Sequence, residues 1–198
     1  DGVTLTIENG VEIWYNTSQY AKFVVRGSII AGCNSIDTSN VHSRGLVDNT
    51  TYTYIHGPFD EHFTGIEIDD NANQDFHLEF CNVVFEGFRS EYKEFYFGNP
   101  SSKYKIVSFD NCEFKANIGI VSEALNQQFT DCIFHPGTEL KCNNGDCLID
   151  NCLFNDSDIT FYRAQNAFVS NTNTYEQGIS FDGTANCSAR NVTTVSYT

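Results

Sequence analysis

Residues 109–134 read FDNCEFKANIGIVSEALNQQFTDCIF, and the pattern that opens this stretch also closes it. The pattern is an apolar residue, any residue, Asn or Asp, a small residue that is often Cys, any residue, and often Phe. It occurs as FCNVVF, FDNCEF, FTDCIF, IDNCLF, VSNTNT and ARNVTT, with its third position at Asn82, Asn111, Asp131, Asn151, Asn171 and Asn191. The last five positions are 20 residues apart, and the first step is 29. Such a period predicts a solenoid whose chain returns to the same place in every turn.

Alternation within one turn indicates strands rather than helices. In FTDCIF, the two Phe and the Cys are predicted to point inward, Thr and Ile to point outward, and Asp131 to turn the chain. The apolar period is two, and Phe, Val, Ile and Thr favour strands. A β-sandwich would show hairpin signals roughly every 8–12 residues and would not hold the Asn register. We therefore predict an all-β parallel solenoid whose rungs of about 20 residues each carry three short strands and three turns.

A single domain is predicted over residues 1–198, with regular rungs over 76–198 and less regular rungs over 1–75. In the less regular part, TIENGVEI and FVVRGSII are interpreted as two further rungs, and residues near 33–64 as a long excursion. A second excursion near residues 86–104 accounts for the 29-residue step.

The repeated positions predict columns of like side chains. Asn at a turn tolerates the left-handed conformation and can hydrogen-bond to its copy in the next rung, so the six Asn and Asp positions are predicted to form a structural ladder. The column of Cys112, Cys132 and Cys152 is interpreted as a buried stack of unreacted thiols, with axial disulfides or a metal site as alternatives. Two core columns follow: Phe85, Phe114, Phe134 and Phe154, and Phe80, Phe109 and Phe129 continued by Ile149 and Val169.

The other cysteines are less regular. Cys142 and Cys147 flank the turn NNGD and are the predicted disulfide pair, whereas Cys33, Cys81 and Cys187 have no evident partner. Eight Cys in 198 residues permit disulfides without requiring them.

Net charge limits the partners. The chain carries a formal charge of −15 at pH 7, so duplex nucleic acid and anionic membranes are poor partners, and calcium, basic proteins or neutral glycans fit better. No stretch approaches the roughly 20 apolar residues of a transmembrane helix.

Several features favour an extracellular or cell-surface location. Glycosylation sequons begin at Asn16, Asn49, Asn155 and Asn186, and a fifth, at Asn191, is predicted to be unmodified because it belongs to the ladder. The sequence has no Met and begins at an Asp. We expect a processed product or a fragment, and a removed export signal would explain that start.

The repeat resembles a known family. The pattern I-x-N-C-x-F with G-I some residues on is similar to the right-handed parallel β-helix repeat of the pectate-lyase-like superfamily. The matching residues are Asn111-Cys112-Glu113-Phe114, Asp131-Cys132-Ile133-Phe134, Asn151-Cys152-Leu153-Phe154 and Gly178-Ile179. The resemblance covers residues 76–198 and implies a right-handed β-helix. Enzymes of the superfamily work on the outside of the first strand, with clustered acids, often calcium, and an Arg or Lys base.

The outer face of this strand offers few residues for catalysis. Its outward positions are predicted to be Glu67, Tyr96, Val121, Lys141, Thr160 and Ser180, which is not an acid cluster. Glu139 and Asp158 start that strand on adjacent rungs, with Lys141 and Arg163 nearby, so these four residues form the alternative catalytic set.

Two loops were considered as metal sites. Asp69, Asn71, Asn73 and Asp75 place oxygen ligands at alternate positions, as at the start of a calcium loop, but lack its Gly and its final Glu. His56 and His62 bracket Asp60 and Glu61 in HGPFDEHF, an alternative metal loop. No cofactor is expected unless calcium binds at the first of these loops.

Two functions follow from these observations. The first is a non-enzymatic structural or adhesive protein that associates end to end or as a trimer, such as a filament or surface-appendage subunit. The second is a polysaccharide lyase or hydrolase, or a glycan-binding tailspike-like module, which rests on the resemblance alone.

Overall fold

The computed structural model describes residues 3–8, 10–14, 21–25, 27–33, 53–56, 63–68, 77–86, 94–98, 106–115, 119–176 and 178–195. Every regular element in these residues is a β-strand, and the strands pair in parallel. The chain therefore forms a β-solenoid with about 20 residues per rung, which confirms the predicted fold class. No helix in these residues is long and apolar enough to cross a membrane.

Three parallel sheets run along the solenoid. Sheet A consists of β1 (Thr4–Ile7), β4 (Ser28–Ala31), β7 (His77–Cys81), β10 (Ile106–Asp110), β13 (Asn126–Thr130), β16 (Asp146–Asp150), β19 (Asn166–Ser170) and β22 (Asn186–Arg190). Sheet B consists of β2 (Glu12–Trp14), β5 (Thr53–His56), β8 (Val83–Glu86), β11 (Glu113–Lys115), β14 (Ile133–Phe134), β17 (Leu153–Asn155), β20 (Asn173–Tyr175) and β23 (Thr193–Val195). Sheet C consists of β3 (Ala21–Val25), β6 (Phe63–Ile68), β9 (Glu94–Gly98), β12 (Gly119–Glu123), β15 (Glu139–Asn143), β18 (Ile159–Tyr162) and β21 (Ile179–Asp182).

The first rung differs from the sequence interpretation. TIENGVEI and FVVRGSII are not two rungs: the first segment joins β1 to β2 within one rung, and the second joins β3 to the β4 of the next rung. Each is a pair of short strands around a corner, and in the first segment Gly10, with a φ of 80°, lies at that corner. Gly27 lies at the second corner, where a Cβ would stand 1.9 Å from the Val3 carbonyl oxygen.

The second rung is long. Ile29 of β4 pairs directly with Leu78 of β7, 49 residues later, and β5 and β6 of the same rung lie between them. The parts of the predicted excursions at residues 34–52, 57–62, 87–93 and 99–105 lie outside the described residues.

Phenylalanine stacks form the centre of the core. Phe114 and Phe134 stack with their ring centroids 4.6 Å apart, and Phe134 and Phe154 with theirs 4.2 Å apart. Phe109, in the second column, meets Phe114 edge to face at 5.3 Å. All of these rings are buried. Because strand register places identical residues above each other, the stacking of one rung fixes the side-chain positions of the next.

Truncation of one ring tests how much this Phe column contributes to the stability of the fold. We expect Phe134→Ala to lower the free energy of unfolding by about 3–5 kcal/mol, because it removes a buried ring and leaves a cavity between two others. Phe168→Ala is the matched control, since Phe168 is 48% exposed on the outer face of sheet A. Urea titration followed by circular dichroism measures the stability of both variants. Similar midpoints for the two would contradict a large contribution of the column to stability.

Candidate functional site

The structure places all six pattern residues at one corner, between sheets A and B. Their φ angles lie between 50° and 55°, the left-handed region that Asn and Asp tolerate better than other residues with a side chain (Asn82, Asn111, Asp131, Asn151, Asn171 and Asn191). This conformation turns the backbone N–H toward the next rung. Asn111 N donates to Thr130 O at 2.9 Å, and Asn151 N donates to Ser170 O at 3.1 Å. The corner residue therefore joins one rung to the next through its backbone.

The side chains of the corner residues add hydrogen bonds between the rungs. Asn111 Nδ2 donates to Asn82 Oδ1 at 2.7 Å, and Asn191 Nδ2 to Asn171 Oδ1 at 3.0 Å. Asn151 donates to the Asp131 carboxylate. The amide of Asn171 donates instead to Asp150 Oδ1, at 2.9 Å.

A second ladder was missed in the sequence. Asn126, Asp146, Asn166 and Asn186 are in register at the start of their strands in sheet A. Asn166 Nδ2 donates to Asp146 Oδ1 at 2.6 Å, and Asn186 Nδ2 to Asn166 Oδ1 at 3.0 Å. The 20-residue recurrence of Asn or Asp at these positions was the available signal.

The alternative catalytic set is only partly brought together. Leu140 N donates to Asp158 O at 2.8 Å, so Glu139 and Asp158 lie on adjacent rungs. Asp158 Oδ1 accepts a hydrogen bond of 3.3 Å from Gly178 N in the following rung, on the side away from Glu139. Lys141 lies two residues after Glu139 on the same strand.

Arg163 does not join this group. It follows the far end of β18, whereas Asp158 precedes that strand, and five extended residues span about 16 Å. Its guanidinium carbon lies 4.8 Å from the centroid of the Tyr162 ring, over the ring face. The structure therefore offers two carboxylates and one Lys, without the Arg, and the catalytic set stays a prediction.

The outward face of sheet C also differs from expectation. Tyr96, Val121, Lys141, Thr160 and Ser180 are in register as predicted. Val121, however, is buried. Glu67 is two residues out of register with the column, because it pairs with Gly98 while Gly65 pairs with Tyr96.

The candidate metal loops fall largely outside the described residues. Asp69, Asn71, Asn73 and Asp75 all do, as do His62 and the acidic pair Asp60 and Glu61. His56 ends β5. Within the described part of the chain, no group of three or more His, Cys, Asp or Glu side chains could hold a metal ion.

The cysteine column is a stack of buried thiols. Cys112, Cys132 and Cys152 are unbonded, and each sulfur donates to a backbone carbonyl of the preceding rung, as Cys132 Sγ does to Phe109 O at 3.5 Å. Thr172 continues the column, with its hydroxyl donating to Ser170 O at 2.8 Å. Burial raises the pKa of Cys132 and of Cys152 well above the ordinary thiol value, because the thiolate would lose its hydration.

One disulfide is present, and it is not the pair that the sequence suggested. Cys33 and Cys81 are bonded across a separation of 48 residues, with Cα atoms 4.7 Å apart, so the expectation that they lack a partner is wrong. The stacking of β4 on β7 brings them together. Cys142 and Cys147 are unbonded thiols whose sulfurs lie 2.7 Å apart.

The Asn residues of the sequons differ in their surroundings in the structure. Asn155 is exposed, while the amides of Asn186 and Asn191 belong to the two ladders. Asn191 is nevertheless exposed, as is Asn171 at the same corner of the preceding rung. Asn16 and Asn49 lie outside the described residues, and glycosylation at all of these sites stays a prediction.

Inward-facing side chains are exposed at both ends of the described solenoid. Phe181 stacks on Phe161 at 5.1 Å, yet Phe161 is fully buried and Phe181 is 38% exposed. At the other end, Leu5 pairs with the buried Ile29 and is 42% exposed. Among the described strands, β1, β2 and β3 close the sheets at one end and β21, β22 and β23 at the other, so each has a neighbour on one side alone.

No family model, no curated protein and no solved structure matches this chain.

Two substitutions at one corner residue separate the effect of its left-handed conformation on stability from the effect of its side-chain hydrogen bond. We expect Asn151→Ala to destabilise the protein by about 1–2 kcal/mol more than Asn151→Gly, because Ala resists the left-handed conformation and Gly does not. Both variants lose the amide contact to Asp131. Paired urea titrations measure the difference, and equal midpoints would show that the corner conformation carries no such cost.

The buried thiols predict a fall in stability at alkaline pH. Burial in the folded protein disfavours the thiolate forms of Cys132 and Cys152 and so raises their pKa. The contribution of the two neutral thiols to the free energy of unfolding is therefore complete below the unfolded thiol pKa of about 8.5, and it is lost as pH rises through the folded pKa. We expect the unfolding free energy to fall by up to about 1.4 kcal/mol per thiol per pH unit in that window. Cys132→Ala should flatten this slope between pH 8 and 10, whereas Cys187→Ala, at an exposed Cys, should leave it unchanged. Equal slopes for the two variants would contradict the assignment.

Proposed function

We propose that this chain is a non-enzymatic structural or adhesive protein of the extracellular space or cell surface, which assembles by stacking end to end. One observation carries the proposal: among the described residues, inward-facing apolar side chains are exposed at both ends of the solenoid, and the outermost strand of every sheet pairs on one side alone. Exposed edges of this kind are templates for pairing with another chain.

The geometry of such a stack follows from the solenoid. The β22 edge of one copy would pair in parallel with the β1 edge of the next, as β22 already pairs with β19. The β23 edge would pair in the same way with β2. Sheet C has seven described strands against eight in sheets A and B, so β21 and β3 would lie two rungs apart, and Phe181 would face the junction between the copies. The two surfaces are different, so the contact does not close on itself and leads to a filament.

Two features support an extracellular or surface location. The Cys33–Cys81 disulfide is typical of proteins that mature in oxidising compartments. The exposed sequon at Asn155 suits a secreted protein. A charge of −15 would keep single copies soluble and make stacking sensitive to salt, since added salt screens repulsion between copies.

The polysaccharide-active alternative has a narrower basis. This alternative would follow from membership of the pectate-lyase-like superfamily. The residues that support it are Glu139, Asp158 and Lys141. Asp158 already accepts a backbone hydrogen bond from Gly178, which is the role of a corner residue. Turnover of an acidic or neutral polysaccharide that is lost in both Glu139→Gln and Asp158→Asn would favour this alternative over the structural one.

Charge substitution at the ends tests the stacking. We expect the parent chain to associate in a concentration-dependent way in analytical ultracentrifugation. Phe181→Asp and Leu5→Asp should each weaken association about tenfold or more, because each places a carboxylate against an apolar rung. Phe168→Asp is the matched control: Phe168 is as exposed as Phe181 but faces sideways, so its substitution would disrupt a lateral trimer and spare a stack.

Mixing the two end variants distinguishes the modes of contact. Phe181→Asp keeps an intact first rung and Leu5→Asp an intact last rung, so a one-to-one mixture should form dimers that cannot extend. Contacts between two identical ends would instead give dimers of one variant alone, without the need for the mixture. A parent chain that stays monomeric at all concentrations, with native circular dichroism, would overturn the proposal.

A further inference from the structure

We propose that Cys142 and Cys147 form a second disulfide during folding, across one corner of the solenoid. The two thiols are reduced in the structure. Their side chains point into the core from β15 and β16, and both are buried. The proposal does not depend on the assembly of the chain or on any activity.

The corner between sheets C and A explains why these two residues meet. In the rung that contains Cys142 and Cys147, four residues separate the inward positions, whereas five residues separate Phe161 and Ala167, the register partners in the next rung. The corner is short because Asn144 and Gly145 both have a φ of 54°. A Cβ at Gly145 would lie 2.0 Å from the Ala124 carbonyl oxygen, so this tight corner requires Gly.

The separation of the sulfur atoms favours a covalent bond over a bound metal. Cys147 Sγ lies 2.7 Å from Cys142 Sγ, while a disulfide bond is about 2.05 Å long. Two thiolates on a tetrahedral zinc ion, each about 2.3 Å from it, would stand about 3.8 Å apart. The pair is thus closer to bonding distance than to chelating distance. The described residues also supply no third metal ligand of the His, Cys, Asp or Glu type.

The same position in the preceding rung holds polar residues. Ser122 pairs in register with Cys142, and Gln127 pairs with Cys147, so the short corner recurs with a different pair of inward side chains. Only the rung with two cysteines can form a bond there. The pairing is therefore specific to this corner and is not a property of the repeat.

Oxidation would follow thiol–disulfide exchange with a small external disulfide such as oxidised glutathione. One Cys thiolate attacks the external disulfide, forms a mixed disulfide and releases one thiolate. The second Cys thiolate then displaces the other half, so the external disulfide accepts two electrons and leaves as two thiols that take up the two protons. Burial raises the pKa of Cys147 and removes solvent access, so the exchange takes place before the rung closes.

Thiol counting tests the pair. The reduced chain is refolded with oxidised and reduced glutathione, denatured without reductant, labelled with N-ethylmaleimide and weighed by mass spectrometry. Four labels are expected, on Cys112, Cys132, Cys152 and Cys187, because two disulfides would protect the other four of the eight cysteines. Six labels would mean that Cys33–Cys81 is the sole disulfide and would overturn the proposal.

Variants and peptides identify the bond. Cys142→Ser should raise the count to five by releasing Cys147, whereas the control Cys112→Ser should lower it to three. Proteolysis on the amino side of Asp146 places Cys142 and Cys147 in different peptides, which should stay linked until a reductant is added. Linkage of either Cys to any other cysteine would overturn the proposal. Native reduced protein should oxidise at least tenfold more slowly than the refolding chain, and equal rates would contradict exchange before closure.

Discussion

The left-handed Asn and Asp corner is the constraint on which the rest of the solenoid depends. At this corner a residue with a positive φ turns its N–H out of its own rung and toward the carbonyl of the next, as Asn111 does toward Thr130. That bond sets the register of the strands on both sides of the corner. A slip by one residue would turn every inward side chain outward, so the register determines which residues form the core.

The interior then follows from repetition. Once the corner is in register, like residues lie one rung apart, at about 4.8 Å, which suits stacked aromatic rings and stacked small side chains. The Phe rings use this spacing in two columns that meet edge to face. The small thiol column fills the space beside the corner, where a larger side chain would force the rungs apart. Stability is therefore spread along the axis, and each interior rung depends on both of its neighbours.

The repeat allowed the regular half of the fold to be predicted from the sequence. The corner residues, the thiol column and both Phe columns recur at one spacing, so each position was seen several times. The Cys33–Cys81 bond had no such signal, because the second rung is 49 residues long and nothing in it repeats. Arg163 was grouped with Asp158 because the two are close in sequence, and the extended strand between them places them at opposite ends of β18.

The alternation of Asn and Asp within the two ladders limits how such a chain can lengthen. Asp131 and Asp146 each have amide-bearing ladder residues on both sides, and a carboxylate accepts hydrogen bonds but has none to donate. Tandem duplication of residues 131–150 would stack each of these carboxylates on its own copy, about 4.8 Å away, where like charges repel. Duplication of residues 151–170 would stack amide on amide at both ladder positions. At the two ladder positions, growth of this solenoid by gene duplication is therefore easier through residues 151–170, where both are Asn, than through residues 131–150, where both are Asp.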